Sequence, residues 1–153
     1  IKGALLMIKK LTMLDSESKE MISNIWLNSN LDAHSFINSD YWIGNLDRVK
    51  RMFPDSTIYV YYDDNQIVGF AGLYGNYIAG IFINASHRNK GIGKLFLQKL
   101  KTDYNMLKLY VYEKNIRATK FYLKHNFEII SKDFEGETQE YEYFMKWNKN
   151  KSN

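Results

Sequence analysis

The chain has 153 residues, a formal net charge of +4 and no cysteine. That length suits one domain burying roughly two-thirds of its unfolded surface, and the missing cysteines exclude disulfides, thiolate zinc sites and cysteine nucleophiles. Apolar residues make up 45% and charged residues 25%, an ordinary globular balance; no apolar run nears the roughly 20 residues that span a membrane, and a small positive charge suits an anionic ligand without arguing for nucleic acid.

In chain order, residues 1–6 precede Met7-Ile8-Lys9-Lys10, which reads as a natural start. The six are expected to be an added remnant rather than a signal peptide, whose apolar core would be longer. The domain is expected over 7–148, with 149–153 a frayed tail. Residues 8–13 read as a first strand. Asp15 or Ser16 caps a helix to about Asn28, with Met21, Ile22, Ile25 and Trp26 as its buried stripe. A break is expected at Ser29-Asn30. Asn38-Ser39-Asp40 then caps a helix over 41–52 carrying Tyr41, Trp42, Leu46 and Val49. Two β-rich runs, 57–62 and 66–73, flank Asp63-Asp64-Asn65, a strong hairpin signal. Gly75-Asn76 turns into a strand over 77–84.

His87-Arg88-Asn89-Lys90-Gly91-Ile92-Gly93-Lys94 follows, and the apolar positions Ile92, Leu95, Phe96 and Leu100 lie on one stripe of a helix opening at Gly91. The first turn of a helix leaves its N–H groups unpaired and is partly positive. Glycine removes the Cβ that would hold a large anion away. Arg88, Lys90 and Lys94 add positive charge, so a phosphate or pyrophosphate is the expected guest. A P-loop is excluded, because Gly91 and Gly93 are too close together and Leu95 stands where Ser or Thr is needed. The dinucleotide pattern G-x-G-x-x-G keeps two glycines and places Glu113 at a ribose-binding distance, but its third glycine is Phe96. The pattern R-x-x-G-x-G is met in full by Arg88, Gly91 and Gly93. Residues 107–112 read as the next strand, parallel to the one before the loop. Asn115 caps a helix with Ala118, Phe121 and Tyr122 on one face. Residues 127–131 and 138–147 are strands around a turn at Glu135-Gly136, the second with a clean period of two.

The loop resembles the acetyl-coenzyme A loop of the GNAT superfamily of N-acetyltransferases, [RQ]-x-x-G-x-[GA]. The segment 115–127 is similar to that family's N-x-x-A-x-x-F-Y-x-x-x-G-F, with Asn126 in place of Gly; Asn is the usual substitute where a helix ends left-handed. The order β-α-α-β-β-β-α-β-α-β-β is similar to the GNAT fold as well: an α/β (α+β) domain with a mixed, mostly antiparallel twisted sheet, flanking helices and a central βαβ crossover. A narrower likeness joins His34-Ser35-Phe36-Ile37-Asn38-Ser39-Asp40-Tyr41-Trp42 to H-x-F-[IL]-x-x-x-Y-W of a bacterial subgroup, the YiaC- and YjaB-like acetyltransferases.

The resemblance implies an acetyl-coenzyme A-dependent N-acetyltransferase without a metal. It implies that the strands before and after the loop splay apart, with pantetheine along Ile81, Phe82 and Ile83 and the pyrophosphate on Arg88, Asn89, Lys90, Gly91, Ile92, Gly93 and Lys94. Asn115, Ala118 and Tyr122 would also bind the cofactor, Asn115 being equally a helix cap. An amine would attack the thioester directly in a ternary complex, with Tyr122 protonating the leaving thiolate. The strand 77–84 carries no Glu or Asp to serve as base, so His34 is expected either as base or as a lining residue. His34, Phe36, Tyr41 and Tyr77 would contact the acceptor: a small-molecule amine, a peptide N-terminus or a protein lysine. Cytoplasmic location and a monomer or homodimer, with no nucleic acid or membrane partner, complete the expectation. A non-catalytic module that senses acyl-coenzyme A is the rival reading.

Overall fold

A computed structural model describes residues 7–151. The expected remnant at 1–6 lies outside the described residues, as do 152 and 153. Seven strands form one sheet in the order β1-β2-β3-β4-β5-β7-β6. They are β1 (Ile8–Lys10), β2 (Thr57–Asp63), β3 (Gln66–Tyr74), β4 (Tyr77–Ile83), β5 (Met106–Tyr112), β6 (Glu128–Glu135) and β7 (Glu140–Asn148). Every neighbouring pair is antiparallel except β4 and β5. The helices are α1 (Ser16–Ala33), α2 (Ser39–Met52), α3 (Ile92–Asp103) and α4 (Ile116–Lys124).

The period-two pattern of the strands sorts two cores onto the two faces of the sheet. Ile58 and Val60 of β2 pack with Ile22, Ile25 and Trp26 of α1 and with Trp42 of α2. Tyr59, between them in sequence, joins the opposite core with Ile92, Phe96 and Leu100 of α3 and Tyr122 of α4. The hairpin between β2 and β3 turns through Asp64 and Asn65, both left-handed, which matches the twist of a tight two-residue turn.

Three helix starts are closed by side chains. Asp15 accepts from the Ser18 amide at 2.7 Å, Asn38 from the Asp40 amide at 2.9 Å, and Asn115 from the Ala118 amide at 3.3 Å. The fourth, α3, begins at Gly91 with φ +82° and no capping side chain.

Several boundaries differ from expectation. The first strand ends at Lys10, not Met13. The break at Ser29-Asn30 does not exist: α1 runs through it to Ala33. Both residues are buried there, and the Asn30 amide donates back to the Trp26 carbonyl at 2.8 Å. An asparagine that signals a loop in sequence can thus be accommodated within a helix by bonding the preceding turn, whereas the Ser29 hydroxyl makes no such bond. Lys149–Lys151 form a 3-10 turn, and the Lys149 amide donates to the Asn105 carbonyl at 2.9 Å, so the start of the expected tail is held. Asn126 is left-handed at φ +71°, the conformation expected where it replaces glycine.

Candidate active site

The parallel strands β4 and β5 pair only at Tyr77–Lys108 and Ile78–Leu109. Beyond those pairs they diverge, and an open cleft of about 1090 Å³ lies between them. On its far side β4 stays bonded to β3 as far as Ile83. The edge of β4 from Ala79 to Ile83 therefore faces the cleft without a ladder partner from β5, and an extended ligand can pair with it as a strand would.

At one end stands the open start of α3. A Cβ built on Gly91 meets nothing within 4 Å, so only the left-handed backbone demands glycine there. Gly93 has a different setting: a Cβ on it would lie 3.1 Å from the Phe121 ring, which would have to give by a few tenths of an ångström. It secures the packing of α3 on α4 as well as lining the cleft. Arg88, Asn89, Lys94 and Arg117 line this end. Arg88 is held by two contacts, donating from Nε to the Ile83 carbonyl at 3.1 Å and pairing with Asp32 of α1 at 3.3 Å. Arg117 donates to the Asn89 side chain, joining α4 to the loop. Lys90 is exposed and does not line the cleft, contrary to expectation.

The opposite wall is aromatic. His34 stacks on Trp42 with centroids 5.0 Å apart and meets Tyr112 edge-on at 5.2 Å. Its Nε2 lies 3.4 Å from the Asn115 side-chain nitrogen, so the aromatic wall touches the cap of α4. Burial pushes the His34 imidazole down to about 4, which keeps the ring neutral at pH 7 and makes it a weak base. Three buried polar atoms on this wall have no hydrogen-bond partner: Ser29 Oγ, His34 Nδ1 and Trp42 Nε1. All three residues line the cleft.

Phe36 and Tyr41, expected to line the site, do not. Phe36 packs behind the wall, edge-on to His34 and Tyr112. Tyr41 and Trp42 are neighbours on a helix and so point about 100° apart; Trp42 turns inward, while the Tyr41 hydroxyl donates to Glu137 at 3.4 Å. The segment's contribution to the lining is His34 and Trp42.

Tyr122 is buried at 8% exposure and lines the cleft beside Ala118 and Phe121. Burial pushes its hydroxyl up, with a smaller push from Tyr77. Tyr77 is itself raised to about 12, by burial first, then by the charge of Glu142 and by Tyr110. Both phenols are protonated at neutral pH. Ile81, Phe82, Ile83 and Ile92 all line the cleft.

Glu142 was missed. The sequence reading gave it no role beyond the period-two alternation of its strand, yet it lines the cleft opposite Tyr112 in register. Its own segment carried no signal for this: it sits on the face away from the Met145–Trp147 core, beside Tyr112, because β7 pairs with β5. Glu113, the ribose contact of the dinucleotide reading, points elsewhere. It pairs with Lys132 at 2.7 Å, accepts from the Tyr143 hydroxyl at 3.1 Å and does not line the cleft. Among the described residues no group of three His, Cys, Asp or Glu could hold a metal, and no helix is long and apolar enough to cross a membrane.

A model of the GNAT acetyltransferase domain matches residues 54–129, which hold the sheet centre, the loop and both helices beside it. The peptidyl-lysine N-acetyltransferase YiaC of Escherichia coli (strain K12) is 30% identical over 128 residues, 82% of this chain and 88% of that protein. The solution structure of apo YjaB from Escherichia coli superposes with a TM-score of 0.79 at 23% identity, covering 92% of this chain and 95% of that one. An aminoglycoside 6'-N-acetyltransferase solved with coenzyme A shares the fold, with a TM-score of 0.67 at 13% identity over 92% and 96% of the two chains. With its splayed parallel strands, open helix start and R-x-x-G-x-G loop, the chain belongs to the GNAT acetyltransferase family.

Proposed function

We propose that this acetyltransferase moves the acetyl group of acetyl-coenzyme A to a primary amine, a lysine side chain of a peptide or protein being the favoured acceptor. The observation that carries the reading is the cleft itself. One end offers uncapped helix amides and positive side chains, the middle offers the unpaired edge of β4, and the other end holds a protonated, buried tyrosine. These suit, in turn, a pyrophosphate, an amide-bearing pantetheine arm and a thioester sulfur. The names of YiaC and YjaB favour lysine, and coenzyme A in a protein of the same fold agrees with the choice of co-substrate.

In the mechanism, the amine enters from the His34–Trp42 side and attacks the thioester carbonyl in a ternary complex. A backbone N–H of β4 meets the developing oxyanion. Tyr122 donates its proton to the departing sulfur; the raised hydroxyl is fully protonated at neutral pH and so is available as an acid. His34 serves as wall and not as base, because a ring held near 4 takes up little charge at pH 7. A cytoplasmic setting, where acetyl-coenzyme A is made and used, fits this chemistry.

Thermal stabilisation by acetyl-coenzyme A, coenzyme A, NADH and ATP, followed by turnover of a lysine peptide, tests the reading. A ligand at 100 times its dissociation constant adds about 2.7 kcal/mol. Stabilisation by the two coenzyme A species alone is expected. Tyr122→Phe should then bind acetyl-coenzyme A normally and turn over about 10²-fold more slowly or worse. Stabilisation without turnover on any amine would favour a sensor module, and unchanged turnover would remove Tyr122 from the chemistry.

A further inference from the structure

The reaction just proposed leaves the proton of the acceptor without a taker. An amine of ordinary basicity is an ammonium at pH 7, and it cannot attack until it loses a proton. The splayed part of β4 has no carboxylate, and His34 is too weak a base. Two carboxylates line the cleft, Asp32 and Glu142. Asp32 is committed to Arg88 at the loop end.

Glu142 has a different position. It is opposite Tyr112 across the β5–β7 ladder, so it shares a sheet face with Tyr110 and Tyr112, on the side opposite the Met145 and Trp147 core. Tyr77 stands on that same side, its ring 6.3 Å from Tyr110, at the point where β4 begins to leave β5. The neighbouring acids are engaged. Glu140 pairs with Lys114 at 3.0 Å, Glu113 with Lys132, and Glu135 accepts from Thr138 and from the Glu137 amide. Among the described residues no ion pair or side-chain hydrogen bond engages the Glu142 carboxylate. It is a cleft-lining carboxylate left open at the acceptor end.

We propose that Glu142 receives the proton of the acceptor ammonium, with Tyr77 as the neighbour it shares with Tyr122. This rests on the N-acetyltransferase reading and adds the base it lacked. The protons balance. Of the three on the ammonium, one passes to Glu142 and on to solvent as the lone pair is freed. The N–C bond forms and the C–S bond breaks; the thiolate takes the Tyr122 proton, and a second nitrogen proton restores Tyr122. The third stays on the amide. Burial, and then the charges of Glu135 and Asp133, raise the Glu142 carboxyl, which makes it a stronger base than an exposed carboxylate. Tyr77 from β4, Tyr112 from β5, and Asp133 and Glu135 from β6 are the titratable groups around it.

The test is Glu142→Gln in the full chain, assayed with acetyl-coenzyme A and an Nα-blocked lysine peptide, with spermidine and benzylamine beside it. The expected result is a fall in kcat of about 10²-fold or more at pH 7. The loss should shrink as pH approaches the amine's own value near ~10.4, with acetyl-coenzyme A affinity and melting temperature unchanged. Glu113→Gln, which removes a carboxylate outside the cleft, should keep wild-type turnover. A readout without turnover is the Glu142 carboxyl signal by ¹³C NMR, expected to titrate above the usual ~4.3. Turnover within about threefold of wild type, where a base contributes 10²-fold or more, would overturn the assignment. So would an equal loss at every pH with weakened acetyl-coenzyme A binding. Either result leaves the acetyltransferase reading standing, whereas a wild-type protein inactive on all three amines overturns both.

Discussion

The two ends of the cleft solve opposite problems. The loop end is backbone and charge: glycine conformation, free helix amides and Arg88 fixed by two contacts, most of it from the short stretch 87–94. The end where the acceptor is proposed to enter is assembled from side chains far apart in sequence, with His34 and Trp42 from the helical wall, Tyr77 from β4, Tyr112 from β5 and Glu142 from β7. The first end suits a ligand whose charge and shape are fixed. The second is a buried aromatic surface with three unpartnered polar atoms, and such atoms cost free energy until a water or an acceptor group pairs them. On the proposed reading, recognition of the co-substrate and of the acceptor can therefore change independently.

The sharpest way to break this contrast is at the loop. Gly91→Val forces a β-branched residue into φ +82°, a strain of about 1–3 kcal/mol, and puts methyl groups where the pyrophosphate is proposed to lie. Calorimetry should show acetyl-coenzyme A binding weakened by about tenfold or more, the factor that 1.4 kcal/mol represents. Wild-type affinity in a folded variant would move the anion elsewhere.

At the acceptor end the corresponding probe is acid. The His34 ring is held near 4 against 6.5 for the free group, so an unfolded chain binds a proton that the folded chain refuses. Its effect on stability is absent above pH 7; as pH falls from 6.5 toward 4 the folded state loses up to about 3 kcal/mol from this group. His34→Phe should remove that part of the acid sensitivity, read as the change in unfolding free energy across the window. A variant as acid-sensitive as the wild type would mean that the ring is solvated and the wall is open.

The smallest effect sharpens the comparison by its absence. Glu113→Gln removes a carboxylate bound to exposed Lys132 on the far side of the site. Acetyl-coenzyme A affinity should stay within about twofold, since exposed pairs contribute little. A large loss would bring the acidic ribose contact back.

Legibility followed the same division. The caps at Asp15, Asn38 and Asn115, the Asp64-Asn65 turn and the start of α3 at Gly91 were readable because each depends on a few adjacent residues. Errors arose where a distant partner changed a local preference. Ser29 and Asn30 signal a loop, yet burial and the bond from Asn30 to Trp26 keep them in α1. Tyr41 and Trp42 are equally aromatic in sequence, and only the packing of α2 against α1 turns one into the cleft and the other toward Glu137.

The sequence by itself determined the order of elements, the family and the anion-ready loop, because hydrophobic period, capping and glycine conformation are properties of short stretches. Only the tertiary structure decided the acceptor end. The early parting of β4 from β5, the burial that holds His34 neutral and the approach of Glu142 to Tyr77 depend on strands and helices meeting from opposite ends of the chain. A side chain's neighbours across a sheet are set by register and not by its own segment.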